Sequence, residues 1–270
     1  MIRIHVLNCG EVGVDPAVPD RSVSKNAVAY TGLFRSAKRR IWLPVKAFWI
    51  EHPRGNILVD TGWDSAVRTD PIRTLTFPMW FASKPRLPQG AAVDEQLAAG
   101  GLAPQDLAFV LMTHMDIDHD SGLRLVRAAK RILVSPEEWA ALHSGQVRYV
   151  KRPWEKIPIG QMPLHSDPKA PFQKSWDVWS DGSMMVFLTP GHTQGSVCIR
   201  VSGEKGFVLL VGDTGYNRNS WESLRLPGPV FDSQAMRKSL AWVQQMRQDP
   251  RCLAVLAAHD PEETRKSISL

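Results

Sequence analysis

Thr113-His114-Met115-Asp116-Ile117-Asp118-His119-Asp120-Ser121-Gly122 follows directly on the apolar run Phe109-Val110-Leu111-Met112. The run is short and apolar throughout, and it reads as a buried strand. It releases four side chains of metal-ligating type, His114, Asp116, Asp118 and His119, within six positions. Imidazole and carboxylate are the groups that hold divalent transition metals. A loop anchored by a buried strand lets such groups converge on one point at a sheet edge, the usual construction of a catalytic metal site.

Three more apolar runs end in the same way. Met184 to Leu188 delivers Thr189-Pro190-Gly191-His192, Phe207 to Val211 delivers Gly212-Asp213-Thr214-Gly215-Tyr216, and Leu253 to Leu256 ends at Ala258-His259-Asp260. His192 or His259 alone would be an ordinary hydrogen-bonded histidine, and Tyr216 alone could simply pack. Four strands that each close on a potential ligand point instead to one shared site. Asp120 and Asp260, each directly after a ligand, read as loop caps.

Further strands are expected at Ile2 to Leu7, followed by a loop through Asp20, and at Trp42 to Ile50 and Ile57 to Asp60, which form a hairpin about Arg54-Gly55-Asn56. Helices are expected from Val93 to Gly100, over 123–129, over 136–142 and from Ser233 to Met246, where Met236, Leu240 and Val243 share a face. Strand runs with helices outside them predict an α/β sheet sandwich, one domain over 1–270 built from two similar halves, roughly 1–180 and 181–270. Residues 64–90 and 144–175 lack a clean period and read as cap-like insertions. With Phe77-Pro78-Met79-Trp80-Phe81 at its centre, the first suits a packed cap, a subunit contact in a homodimer, or an apolar wall for a substrate.

At 270 residues, 43% hydrophobic and 22% charged, the chain can bury a substantial core. Its formal charge of +6 does not mark a nucleic-acid binder, because Lys and Arg are scattered and the densest patch is Lys38-Arg39-Arg40. The Gly-rich pieces lack a dinucleotide or phosphate-loop form. Cys9, Cys198 and Cys252 are odd in number and far apart, which suits small buried thiols in a reducing compartment. The N-terminal strand lacks the features of a signal peptide and no apolar run spans a membrane, so a cytoplasmic protein is expected.

The ordered ligand set resembles the metallo-β-lactamase superfamily of hydrolases, whose signature is HxHxDH followed by a single His, a bridging Asp and a last His. The matching positions are His114, Asp116, Asp118 and His119, then His192 in Gly-His-Thr, Asp213 in Val-Gly-Asp and His259 in Ala-His-Asp. Leu58-Val59-Asp60-Thr61-Gly62 also fits, so the resemblance covers nearly the whole chain. Within the superfamily the chain looks most like the N-acyl homoserine lactonases. They carry a Tyr three residues after the bridging Asp, as Tyr216 follows Asp213, and an N-terminal hairpin similar to Glu51 through Gly62.

The resemblance implies a four-layer αββα sandwich and two divalent metal ions. Site one would be His114, Asp116 and His192, site two Asp118, His119 and His259, with Asp213 bridging. Asp116 departs from the family pattern, which has His there. Either it binds as an oxygen ligand, tilting preference from zinc toward manganese, iron or cobalt, or it holds a water or a neighbouring ligand. The implied chemistry is attack by a metal-bound hydroxide on a small-molecule ester or lactone, plausible substrates being the acyl homoserine lactones of quorum quenching. Tyr216 would serve as oxyanion donor and Asp118 as proton carrier to the leaving alkoxide. The competing readings are a thioester or phosphodiester hydrolase on the same site, and a mononuclear iron oxidoreductase like the persulfide dioxygenases.

Overall fold

Period-two alternation decides which way each strand faces, and in this protein it sorts the chain into layers. The computed structural model describes residues 1–24 and 26–270. One sheet contains β1 (Arg3–Val14), β2 (Ile41–Glu51), β3 (Asn56–Val59), β4 (Lys84–Arg86), β5 (Leu107–Leu111), β6 (Ile132–Val134) and β7 (Ile159–Gln161). The other contains β8 (His165–Ser166), β9 (Lys174–Asp177), β10 (Met184–Leu188), β11 (Val197–Gly203), β12 (Gly206–Gly212) and β13 (Cys252–Ala257). A last strand, β14 (Ser267–Ser269), returns to the first sheet and pairs antiparallel with β1. The change of sheet therefore falls between Gln161 and His165, earlier than the sequence reading near 180.

Between the sheets, Ile4, Phe48, Ile50, Ile57 and Val59 from one side meet Met184, Val186, Leu188, Val208, Leu210 and Leu256 from the other. Residues of opposite parity on the second sheet, Leu209, Val211 and Ala257, face outward against Met236, Leu240 and Val243. Those three lie on one face of the longest helix, Ser233–Gln248, whose start is capped by Asp232. Helices Val93–Ala99 and Pro136–Leu142 cover the outer face of the first sheet. Helix, sheet, sheet and helix thus form the four αββα layers.

Two local readings differ from the sequence expectation. β1 continues past Leu7 to Val14, because a bulge between Asn8 and Glu11 absorbs Gly10 at φ +93°. A Cβ on Gly10 would meet the Arg86 carbonyl oxygen at 2.2 Å. The bulge reverses strand parity, so Val12 and Val14 turn toward the cavity described below. Over 123–129 the expected α-helix is instead a 3-10 segment, Ser121–Val126. Gly122 presses onto Thr61 there, with its N–H on the Gly62 carbonyl at 2.9 Å, which leaves no room for a regular turn.

The 64–90 segment is clamped to the helix Val93–Ala99 by Arg68, whose two terminal nitrogens grip Glu95 at 2.7 and 2.6 Å while Glu95 also caps the Ala92 N–H. The Arg68 hydrogen bonds hold the Glu95 carboxyl at about 2, below its usual 4.5. A depressed carboxyl contributes stability above its unfolded pKa and loses it as pH falls through the folded one. Glu95→Gln is therefore expected to cost about 1 kcal/mol at neutral pH. In urea titrations the gap to wild type should close between pH 4.5 and about 2; a gap independent of pH would refute the ionic origin.

Candidate metal centre

The ends of β5, β10, β12 and β13 meet at one edge of the sandwich. They bring together His114, Asp116, Asp118, His119, His192, Asp213 and His259, every candidate ligand read from the sequence. Two groups are His114, Asp116 and His192, and Asp118, His119 and His259, and a third, His114, His119 and Asp213, links them. Ligand-type atoms within each group lie within 4.8 Å of one another. Asp213 reaches both: Oδ1 is 3.2 Å from the Nε2 atoms of His119 and His259, and Oδ2 is 3.6 Å from that of His192.

The imidazoles are aimed by bonds on their far nitrogens. His259 Nδ1 donates to the Pro44 carbonyl at 2.8 Å, and His119 Nδ1 donates to Asp60 Oδ2 at 2.9 Å. Thr113 donates its backbone N–H and its hydroxyl to the two Asp60 oxygens, so His114 Nδ1 donates to the Thr113 oxygen at 3.0 Å. Each of these three rings therefore turns an Nε2 lone pair inward, the tautomer a metal requires. Asp60, wholly buried at φ +57°, is the hub of this network.

These atoms fit a cation and fit one another poorly. His119 Nε2 and His259 Nε2 stand 3.3 Å apart, while His114 Nε2 and Asp213 Oδ1 are buried without a hydrogen-bond partner. Buried polar atoms are normally satisfied, and a shared positive ion is the partner that would satisfy all four. Burial favours the neutral acid of Asp213, yet His259 and His119 hold its carboxyl well below the usual range. Burial likewise opposes a charge on His119, and Asp213 and Asp60 overcome it, raising its pKa well above the ordinary value.

Asp116 is bound differently. Its Oδ2 lies 2.9 Å from His192 Nε2 and 3.6 Å from His114 Nε2, and both its oxygens are also gripped by Arg148, through Nε at 2.8 Å and Nη2 at 2.6 Å. Burial would raise the Asp116 carboxyl, but the guanidinium, helped by His114 and His192, holds it well below the carboxylate range. Asp120 is buried with both oxygens unpartnered, so it caps nothing. Burial first, then the charge of Asp116, pushes its pKa well above the usual carboxylate value.

Tyr216 is buried, with its ring stacked on His259 at 5.0 Å between centroids. Burial and the facing carboxylates of Asp213, Asp118 and Asp116 push its hydroxyl well above the phenol range, so it remains a proton donor. A cavity of about 290 Å³ opens over the site. Asp116, Asp118, Asp213, Tyr216 and His259 lie at its base, and Val12, Val14, Leu43, Met79 and Val230 form its walls. Met79 brings the 64–90 segment into the cavity as an apolar wall, one of the roles its sequence allows.

Three residues that support the centre, Asp60, Arg148 and Glu138, whose carboxylate accepts the Met115 and Gly195 N–H groups, have no role assigned from the sequence. Asp60 left a signal, since it too ends an apolar strand. Glu138 and Arg148 left none, because each acts on loops distant in sequence.

The Metallo-beta-lactamase superfamily matches the chain over residues 40–259. An N-acyl homoserine lactonase, AttM, of Rhizobium radiobacter is 26% identical over 231 residues, covering 82% of this chain and 83% of the relative. A probable metallo-hydrolase of Mycobacterium tuberculosis is 26% identical over 278 residues, covering 97% of this chain and 81% of the relative. Among solved structures, an N-acyl homoserine lactone hydrolase with N-hexanoyl-L-homoserine bound at its catalytic metal centre superposes with a TM-score of 0.76 at 20% identity. That superposition covers 96% of this chain and 94% of the other.

Proposed function

Given that the chain belongs to the metallo-beta-lactamase superfamily, we propose that it opens the ring of a small lactone, an N-acyl homoserine lactone in the first instance, by adding water to the acyl carbon. Metal-dependent hydrolysis follows from the kinship itself; the lactone is our reading. The observation that carries it is the pairing of a polar base, with two ligand groups and a buried Tyr216, and apolar walls that suit an acyl chain. We read the site as holding two divalent ions, zinc in the first place, with manganese, iron or cobalt admitted by the oxygen of Asp116. Candidate ligands drawn from both sheets support reading residues 1–270 as one domain. The three buried free thiols fit a cytoplasmic protein.

Bound divalent ions supply a water acidic enough to attack at neutral pH and positive charge near the carbonyl oxygen. The protein's own groups do the rest. His114, His119 and His259 are held in the inward tautomer by Thr113, Asp60 and Pro44. Tyr216 keeps its proton and donates it as a hydrogen bond to the carbonyl oxygen as negative charge develops there. Asp118 faces the cavity and carries the proton of the attacking water to the ring oxygen as the acyl C–O bond breaks. The product is the ring-opened hydroxy acid.

Tyr216→Phe is expected to lower kcat by about 100- to 1000-fold with bound metal unchanged, the order of a single lost oxyanion donor. Equal kcat in the two proteins would take Tyr216 out of the chemistry. The function itself is tested by assaying a panel of lactones, esters, thioesters and phosphodiesters with the zinc, manganese, cobalt and iron forms. Ring opening of homoserine lactones is expected, and its absence in all four forms would overturn the reading.

A further inference from the structure

We propose that Arg148 makes the two cation positions unequal: the Asp118/His119/His259 position fills first, and the His114/Asp116/His192 position fills only when a cation displaces the guanidinium. The inference rests on the metal reading above but not on the substrate.

In the first group, Asp116 Oδ2 and His192 Nε2 are the atoms that would face a cation. Arg148 Nη2 is 2.6 Å from one and 3.1 Å from the other, while Nη1 donates to the His192 carbonyl at 2.8 Å. A guanidinium cannot shed its proton, so it yields the position only by moving. The second group differs. Among the described residues no lysine or arginine contacts Asp118, His119, His259 or Asp213, and the inward nitrogens of His119 and His259 have Asp213 Oδ1 at 3.2 Å from each.

Charge points the same way. Of the three carboxylates that face the two cation positions, Asp116, Asp118 and Asp213, Arg148 offsets Asp116, and one divalent ion balances the other two. A second ion enters against that ion and the guanidinium at short range, where like charges repel strongly. Two features that look separate in sequence therefore belong together. Asp in place of the second motif His provides an anion, and an arginine from the irregular 144–175 segment neutralises it. While it stays, the guanidinium presents to the cavity a positive charge where the cation of the His114/Asp116/His192 position would stand.

The test is titration of metal-free protein with cobalt(II) and zinc, followed by calorimetry and elemental analysis, without substrate. Wild type is expected to bind in two steps separated by about 100-fold or more. In Arg148→Gln the weaker step should tighten by about tenfold, the scale on which neighbours of ligands tune metal affinity, with the tighter step unmoved. Arg148→Lys, which keeps the charge, should keep the steps apart. Equal weaker-step affinity in wild type and Arg148→Gln would overturn the proposal. His259→Ala should remove the tighter step and His114→Ala the weaker. The opposite assignment would also overturn it, and this pair decides the matter even if Arg148→Gln does not fold. Because no substrate is present, a protein that binds metal in this order and hydrolyses no lactone sustains this inference and removes only the proposed function.

Discussion

Asp213→Ala should lose at least one bound metal ion per chain and about 10³-fold in kcat/KM, several kcal/mol of charge stabilisation at tenfold per 1.36 kcal/mol. Among the described residues no other carboxylate of the centre reaches both ligand groups: one oxygen faces His119 and His259, the other His192. The substitution therefore weakens both positions together, whereas His114→Ala or His259→Ala weakens one. Its carboxyl is almost wholly buried and makes no bond to the backbone that the fold needs. The metal-free variant is accordingly expected to fold, which circular dichroism can verify before metal is counted. Wild-type metal content and turnover in Asp213→Ala would remove the bridge from the mechanism and leave two independent positions.

A second large effect is expected at a residue that touches no candidate ligand side chain. Glu138, wholly buried on the helix Pro136–Leu142, accepts the Met115 N–H and the Tyr149 hydroxyl on one oxygen and the Gly195 N–H on the other. Met115 follows His114, and Gly195 lies three residues after His192, so one carboxylate ties the loops of both sheets. Glu138→Ala strands two buried N–H groups, each worth roughly 1–3 kcal/mol. A loss of about 3 kcal/mol follows, or about 6–12 °C in Tm for a chain of this size. Glu138→Gln should fall between the two, since one of its amide positions must face an N–H. If the effect is transmitted as the geometry implies, the weakened variant should also bind metal less tightly at temperatures where it is still folded. Unchanged melting in Glu138→Ala would show that the helix, and not its carboxylate, holds the loops.

Much of the centre was legible before any fold was known, and the reason is chemical. Ligands must be His or carboxylate, and they must leave rigid elements, so His114, His192, Asp213 and His259 each stand just past an apolar run whose period marks a buried strand. Asp60 obeys the same rule and was readable in Leu58-Val59-Asp60-Thr61-Gly62, although its part is to aim His119 and Thr113. Where local pattern met tertiary contact, contact prevailed. The first strand, expected to end at Leu7, runs on to Val14 through a bulge that absorbs Gly10, and the helical spacing of 123–129 yielded to the close approach of Gly122 to Thr61.

What the sequence determined by itself was the candidate ligand types, their order and the strands that carry them, all properties of near neighbours along the chain; the four-layer αββα class came with the family resemblance that these support. Only the tertiary structure decided how Asp116 is used. Its partner, Arg148, lies 32 positions away on a stretch with no period of its own, and no local rule couples two such residues. Burial made the pairing compulsory, because a carboxylate enclosed beside two histidines needs a nearby positive charge, and the fold places a guanidinium within reach.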